Sequence, residues 1–179
     1  MRNFQQIARA DVVPLLAAIH RQPELWNANR LRKDYPGSPH SAMDDIWIRF
    51  NELGAGPGSV IDATEAVWYP AADRLPQVRP ILFDLMRRVE GERLGRVVIT
   101  RLAPGGRIEP HCDQGAPAEY YQRYHVSLAC EPGCNFRSGD ETVFMQPGTV
   151  WWFDNCKEHE VLNYSSDDRM TMIVDIRQS

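Results

Sequence analysis

The chain has 179 residues and a formal net charge of −4, with 43% hydrophobic and 25% charged residues, which suits one ordinary globular domain with a substantial core. An acidic balance offers no basic surface to nucleic acid or anionic lipid, so neither is expected as a partner. The first apolar run, Val12 to Ile19, is too short to span a bilayer and Met1 to Gln6 lacks a signal-peptide pattern, so no membrane is expected and a cytoplasmic location is the default.

In chain order, Asp11 can cap a helix running to about Arg21, with Pro14 tolerated in its first turn. Ile46, Ile48 and Phe50 alternate with Trp47 and Arg49, which predicts a strand. Val78, Ile81, Leu82, Leu85 and Val89 follow the three-four spacing of one buried helix face over about 80–90, with Gly91 as its stop. Beyond residue 92 the texture changes to short apolar runs at 96–102, 107–111, 123–130, 133–137, 142–146, 149–153, 159–164 and 169–176. Turn residues divide them: Pro104-Gly105-Gly106, Glu131-Pro132-Gly133, Ser138-Gly139-Asp140, Pro147-Gly148 and Ser165 to Asp168. Such spacing predicts a mainly β fold with flanking helices, its core a jelly roll, the cupin-like double-stranded β-helix. The expected organisation is a single domain over 1–179. A helical and irregular part at 1–92 packs on a core at 93–179 that carries the chemistry.

The chemistry resides in four positions. His111 and Asp113, two apart at the end of one strand, can face the same way, and His159 opens a later strand. Two histidines and one carboxylate make the facial triad of non-haem iron(II) oxygenases, which leaves positions open for a bidentate cosubstrate and dioxygen. Arg169, across a hairpin from His159, supplies a planar cation for a dicarboxylate. Zinc hydrolysis can use the same three ligands but gives Arg169 no role. A non-catalytic cupin-like module binding metal or small molecules is the other alternative. His159 followed by Asn163 faintly echoes that pattern, although Asp113 stands where its second histidine belongs.

From about Arg101 to Ile176 the chain resembles the aspartyl/asparaginyl β-hydroxylase family of iron(II)/2-oxoglutarate oxygenases. The resemblance rests on Arg123-Tyr124-His125, Pro147-Gly148-Thr149-Val150, Phe153-Asp154-Asn155, Glu158-His159-Glu160-Val161, Arg169 and Ile173-Val174-Asp175. It implies His111 and His159 as iron ligands and Arg169 on the distal carboxylate of 2-oxoglutarate. It also implies that Arg123 and His125 lie beside the cosubstrate. Some members lack a carboxylate where Asp113 stands, so a complete triad is the expectation here. The implied activity is an iron(II)-, 2-oxoglutarate- and O2-dependent dioxygenase. Its substrate would be an unactivated carbon of an amino-acid residue in a peptide or protein, or of a free amino acid.

Other residues carry weaker expectations. Gln114 to Gln122, with Tyr120 and Tyr121, reads either as a lid or as a plain connection. Trp47, Arg49, Trp68 and Tyr69 read as core or rim packing rather than a substrate surface. Trp151 and Trp152 must point to opposite faces of their strand. The four cysteines are expected as thiols, and Cys130-x-x-x-Cys134 is at most half a zinc site. His20 and His40 are not expected as ligands.

Overall fold

Alternating apolar residues and glycine turns fold the second half into strands, and runs from the first half extend its larger sheet. The computed structural model describes residues 1–53 and 63–178. Strands are numbered in chain order. The larger sheet runs β1 (Phe4–Arg9), β9 (Thr149–Phe153), β6 (Gln122–Ala129), β11 (Arg169–Gln178), β4 (Gly91–Leu102), β2 (Met43–Phe50) and β3 (Val67–Trp68). The smaller runs β5 (Arg107–His111), β10 (His159–Asn163), β7 (Cys134–Ser138) and β8 (Glu141–Val143). All strand pairs are antiparallel. This is the double-stranded β-helix that the turn spacing predicted.

The larger sheet has two working faces, and β11 shows why. Its Met170, Met172, Val174 and Ile176 point to one side, among Val97, Ile99, Val126 and Leu128. There they meet the helices α1 (Val13–His20) and α4 (Val78–Arg88) through Leu15, Ile19, Val78, Leu82 and Leu85. Short helices intervene: α2 (Leu31–Asp34) and α3 (Ala71–Arg74), with α5 (Ala116–Tyr120) further on. Burying each large aliphatic side chain contributes about 1.5–3 kcal/mol. A second cluster, including Phe4, Met43, Leu102, Ile108, Phe136, Phe153 and Val161, fills the space between the sheets. The odd-numbered residues of β11, Arg169, Thr171 and Asp175, alternate away from the helix-facing set.

Several elements differ in detail from the sequence reading. β1 was not expected. Only Phe4 of its residues is buried, and polar Gln5 and Gln6 hide the pattern of an edge strand paired along β9. α1 begins at Val13, and Asp11 still serves its start, its carboxylate accepting the Val13 N–H at 3.1 Å. α4 starts at Val78 and is turned out by Glu90 at φ 53°, so Gly91 already opens β4. In β2, Trp47 is buried as well as Ile46 and Ile48, because its ring stacks on Phe50 at 3.9 Å. Among the described residues no helix is long and apolar enough to cross a membrane.

Gly133 makes the connection between β6 and β7 possible. Its φ is +110°, and an added Cβ would stand 3.0 Å from the Tyr164 carbonyl oxygen and 3.1 Å from the Ser165 nitrogen, both backbone atoms. Gly133→Ala is therefore expected to cost on the order of 1–3 kcal/mol, since neither the dihedral nor the neighbouring backbone can yield cheaply. At about 2–4 °C per kcal/mol for a chain of this size, a thermal melt reads the loss directly. A variant that melts with the wild type contradicts the argument.

Candidate metal centre

His111 closes β5 and His159 opens β10, and the antiparallel register sets the two opposite each other. Their ring centroids are 4.3 Å apart. Each Nδ1 meets the backbone carbonyl two residues earlier, His111 that of Glu109 at 2.7 Å and His159 that of Lys157 at 2.9 Å. A carbonyl can only accept, so both Nδ1 atoms carry a proton, and in the neutral imidazole Nε2 is then the nitrogen with the free lone pair. Asp113 lies two residues past His111, beyond the end of β5, with its N–H donated to the Asn155 carbonyl at 3.3 Å. Its Oδ1 stands 3.8 Å from each Nε2.

The three donor atoms all lie within 4.8 Å of one another. Two atoms each about 2.1 Å from one ion can be up to about 4.2 Å apart, so the 3.8 Å separations suit a shared cation better than a hydrogen bond. His111 Nε2 is buried and without a hydrogen-bond partner. Burial lowers the His159 pKa more than Asp113 raises it, which favours the neutral imidazole, the form able to bind a metal. Burial pushes Asp113 up, but Arg123, His159 and His111 outweigh it and hold the carboxyl below its usual range. Two imidazoles and a carboxylate fit a divalent transition metal.

From this face a narrow cavity of about 30 Å³ leads between the sheets, lined by Arg123, His125, Phe136, Phe153 and Arg169 among others. Arg169 is 4% exposed and sits over the Phe136 ring at 5.8 Å. Burial pushes its pKa down, and its polar neighbours among the described residues are Cys130, which hydrogen-bonds it, and Cys134, rather than a carboxylate. An uncompensated buried cation is costly, and a bound carboxylate would relieve it. His125 is also buried, with Nδ1 unpartnered, as is Thr171 Oγ1. Burial first, then Arg169 and Arg123, hold the His125 pKa well below the ordinary imidazole value. The slot thus offers a guanidinium and the unpartnered His125 Nδ1, polar groups of the kind a carboxylate ligand would use.

Arg123 sits at the near end. Its Nη1 donates to Asp113 Oδ2 at 2.5 Å, while Nε and Nη2 donate to the two oxygens of Asp175 at 2.8 and 3.0 Å. All six residues singled out by sequence, His111, Asp113, Arg123, His125, His159 and Arg169, therefore line one slot. Cys130 and Cys134 belong to no metal-binding group among the described residues. Cys134 Sγ instead contacts Asn163 Oδ1 at 3.1 Å, and burial pushes the Cys130 thiol up to about 12.

A larger cavity of about 420 Å³ opens beside the metal face, lined by Arg32, His40, Phe50, Arg96, Val98 and Asp113 among others. His40, which the sequence did not offer as a ligand, belongs to no metal-binding group among the described residues but lines this cavity. Its ring stands 5.2 Å from that of His111, with Nδ1 buried and unpartnered. Nothing in its Pro- and Ser-rich loop signals this, because only the tertiary fold brings that loop across. The segment after Asp113 forms α5 and is pinned by Tyr121, which is buried and donates its hydroxyl to the Thr64 carbonyl at 2.6 Å. Trp151 points into the space between the sheets and Trp152 towards the helices.

These environments set a pH dependence. Burial depresses the pKa of His40, His125 and His159, so all three stay neutral in the fold where a free imidazole of pKa about 6.5 takes up a proton. Below that value the unfolded chain binds more protons than the native one, and stability falls as pH falls. The slope reaches up to about 1.4 kcal/mol per pH unit for each histidine still neutral. Urea unfolding of metal-stripped protein between about pH 7 and about pH 5 is expected to show this loss. A flat profile would contradict the assignment.

A family model described as Aspartyl/Asparaginyl beta-hydroxylase matches residues 15–179. Two curated proteins of that name, from Mus musculus and Homo sapiens, are each 31% identical over 96 residues. Those matches cover 53% of this chain but only 13% and 12% of the mouse and human proteins. Among solved structures, a Trichoplax adhaerens prolyl hydroxylase in complex with a hypoxia inducible factor peptide fragment has a TM-score of 0.63 at 11% identity. It covers 99% of this chain and 84% of that one. An oxidoreductase of the 2OG-Fe(II) oxygenase family from Burkholderia pseudomallei has a TM-score of 0.57 at 15% identity, over 98% and 94% of the two chains. At such identities the structural likeness speaks for the fold alone.

Proposed function

Since the chain belongs to the aspartyl/asparaginyl beta-hydroxylase family, we propose that it is an iron(II)- and 2-oxoglutarate-dependent dioxygenase acting from a single domain. The substrate is an amino-acid residue of a peptide or protein, or a free amino acid, hydroxylated at an unactivated carbon. Bound iron(II) and 2-oxoglutarate would supply the chemistry in which one oxygen atom of O2 enters the substrate C–H bond and the other enters succinate, with loss of carbon dioxide.

The chain's own residues do the positioning. His111, Asp113 and His159 would hold the metal through two imidazoles and one carboxylate. Arg169 would pair with the far carboxylate of 2-oxoglutarate, with His125 and Arg123 lining the same slot. The wider cavity with Arg32, His40 and Arg96 receives the substrate beside the metal.

One observation carries this reading over a zinc hydrolase or a non-catalytic cupin: a buried Arg169, unpaired with any carboxylate among the described residues, at the end of a slot that begins at the metal face. A zinc hydrolase gives that guanidinium no role, and a non-catalytic module would hold its ligands without ever consuming 2-oxoglutarate. The test is an anaerobic titration with iron(II) and 2-oxoglutarate, watching for the visible metal-to-ligand charge-transfer band. A band that requires both components supports the reading, and confirmed iron binding without a band would reject it.

A further inference from the structure

We propose that Asp175, acting through Arg123, is a positioning residue that makes Asp113 a one-oxygen ligand and keeps its charge available to the metal. The inference rests on the metal face proposed above.

Asp175 and Arg123 are cross-strand partners in the register of β11 and β6. Asp175 is 1% exposed, and both its oxygens accept from Arg123, at 2.8 and 3.0 Å. A guanidinium is a rigid planar fork, so fixing one edge fixes the direction of the remaining N–H groups. That direction is Asp113: Nη1 donates to Oδ2 at 2.5 Å. With Oδ2 held, Oδ1 is the oxygen turned to both histidines, 3.8 Å from each Nε2. Asp113 depends on this clamp because it lies outside the ladder of β5, in a stretch without regular structure.

Charge gives the second reason. Arg123 alone beside Asp113 would neutralise the one anionic ligand and repel an incoming cation. Asp175 offsets the guanidinium, so the buried set Asp113, Arg123 and Asp175 carries one net negative charge at the metal face. Three of the five N–H groups of Arg123 are committed in this way, which makes it primarily the holder of Asp113.

Cobalt(II) binding to the full chain tests this without recourse to activity, by calorimetry and by the visible spectrum of the bound ion. Asp175→Asn is expected to weaken cobalt(II) binding about tenfold to a hundredfold and to alter the spectrum. The sharper readout is the double variant Arg123→Met with Asp175→Asn. Removing the unbalanced guanidinium returns the charge of Asp113 to the metal, so the double variant should bind more tightly than Asp175→Asn alone, though more weakly than wild type. Damage of a general structural kind would make the double variant no better than the single one. The proposal is overturned if Asp175→Asn binds within about threefold of wild type, or if the double variant recovers nothing. If Asp175→Asn does not fold, a double variant that binds as well as wild type overturns it equally. Failure of the wild type itself to bind cobalt(II) would sink the metal reading instead, a result distinct from these.

Discussion

His159→Ala is expected to abolish the iron-dependent charge-transfer band and turnover while the chain still folds cooperatively. The imidazole is one of the three proposed donors, and its Nε2 faces Asp113 Oδ1 alongside His111. Removing it leaves one histidine and one carboxylate, too few to hold the ion against water. Metal affinity then falls by at least the hundredfold or so that loss of a supporting contact alone can cost. The fold survives because the deletion is local. His159 packs its ring against Phe153 at 5.1 Å and Phe136 at 6.1 Å, and truncation leaves a small gap between the sheets. A cost of about 1–3 kcal/mol is expected, within the roughly 5–15 kcal/mol of an ordinary domain. Anaerobic titration followed by far-UV circular dichroism separates the two effects. A variant that keeps the band would show that His159 is not a ligand. His111→Ala is expected to behave alike, since its Nδ1 is fixed by a carbonyl in the same manner.

The residues of the candidate metal face were legible one by one because each stands at a readable strand end, although only the register of β10 on β5 brings His159 to His111. His111 and Asp113 sit two apart at a strand end, and His159 begins a strand that Ser165 to Asp168 folds back into β11. The turns were equally legible: Gly105, Gly133, Gly139 and Gly148 all take positive φ, which few other residues accept. Strands bounded by them emerged close to their expected limits. β1 stayed hidden because an edge strand with one buried residue carries almost no hydrophobic alternation.

Partnerships across sequence distance were harder to read. Arg123 meets Asp175 only because β6 and β11 are neighbours in a particular register, and a shift by one residue would turn the carboxylate to the helix side. The sequence placed Arg123 near the site by resemblance but could not say which carboxylate it holds. His40 was out of reach for a similar reason, since it approaches His111 from a loop with no periodicity. Chemistry carried by spacing within one element is readable in advance. Chemistry carried by register between elements requires the fold.

Arg169→Met separates binding from stability, because the two effects have opposite signs. In the ligand-free protein the guanidinium is buried with thiols and a phenyl ring around it, and burial already pulls its pKa down. Replacing it with a side chain of similar length and no charge removes that desolvation cost and is expected to stabilise the ligand-free fold by about 1–3 kcal/mol. Cosubstrate binding moves the other way. Truncating one partner of a buried, hydrogen-bonded charge pair costs about 2–5 kcal/mol, which is roughly thirtyfold to a few thousandfold in the 2-oxoglutarate requirement. Iron(II) binding alone should change little, because Arg169 is not among the three donor residues. Arg169→Lys is expected to fall between, keeping a point charge but losing the fork that grips two oxygens. The checks are the 2-oxoglutarate concentration at half-maximal band intensity and the urea midpoint without ligand. Unchanged cosubstrate affinity would remove Arg169 from its assigned place. A drop in ligand-free stability would mean that the guanidinium is better satisfied by Cys130 and its neighbours than an unpaired buried cation should be.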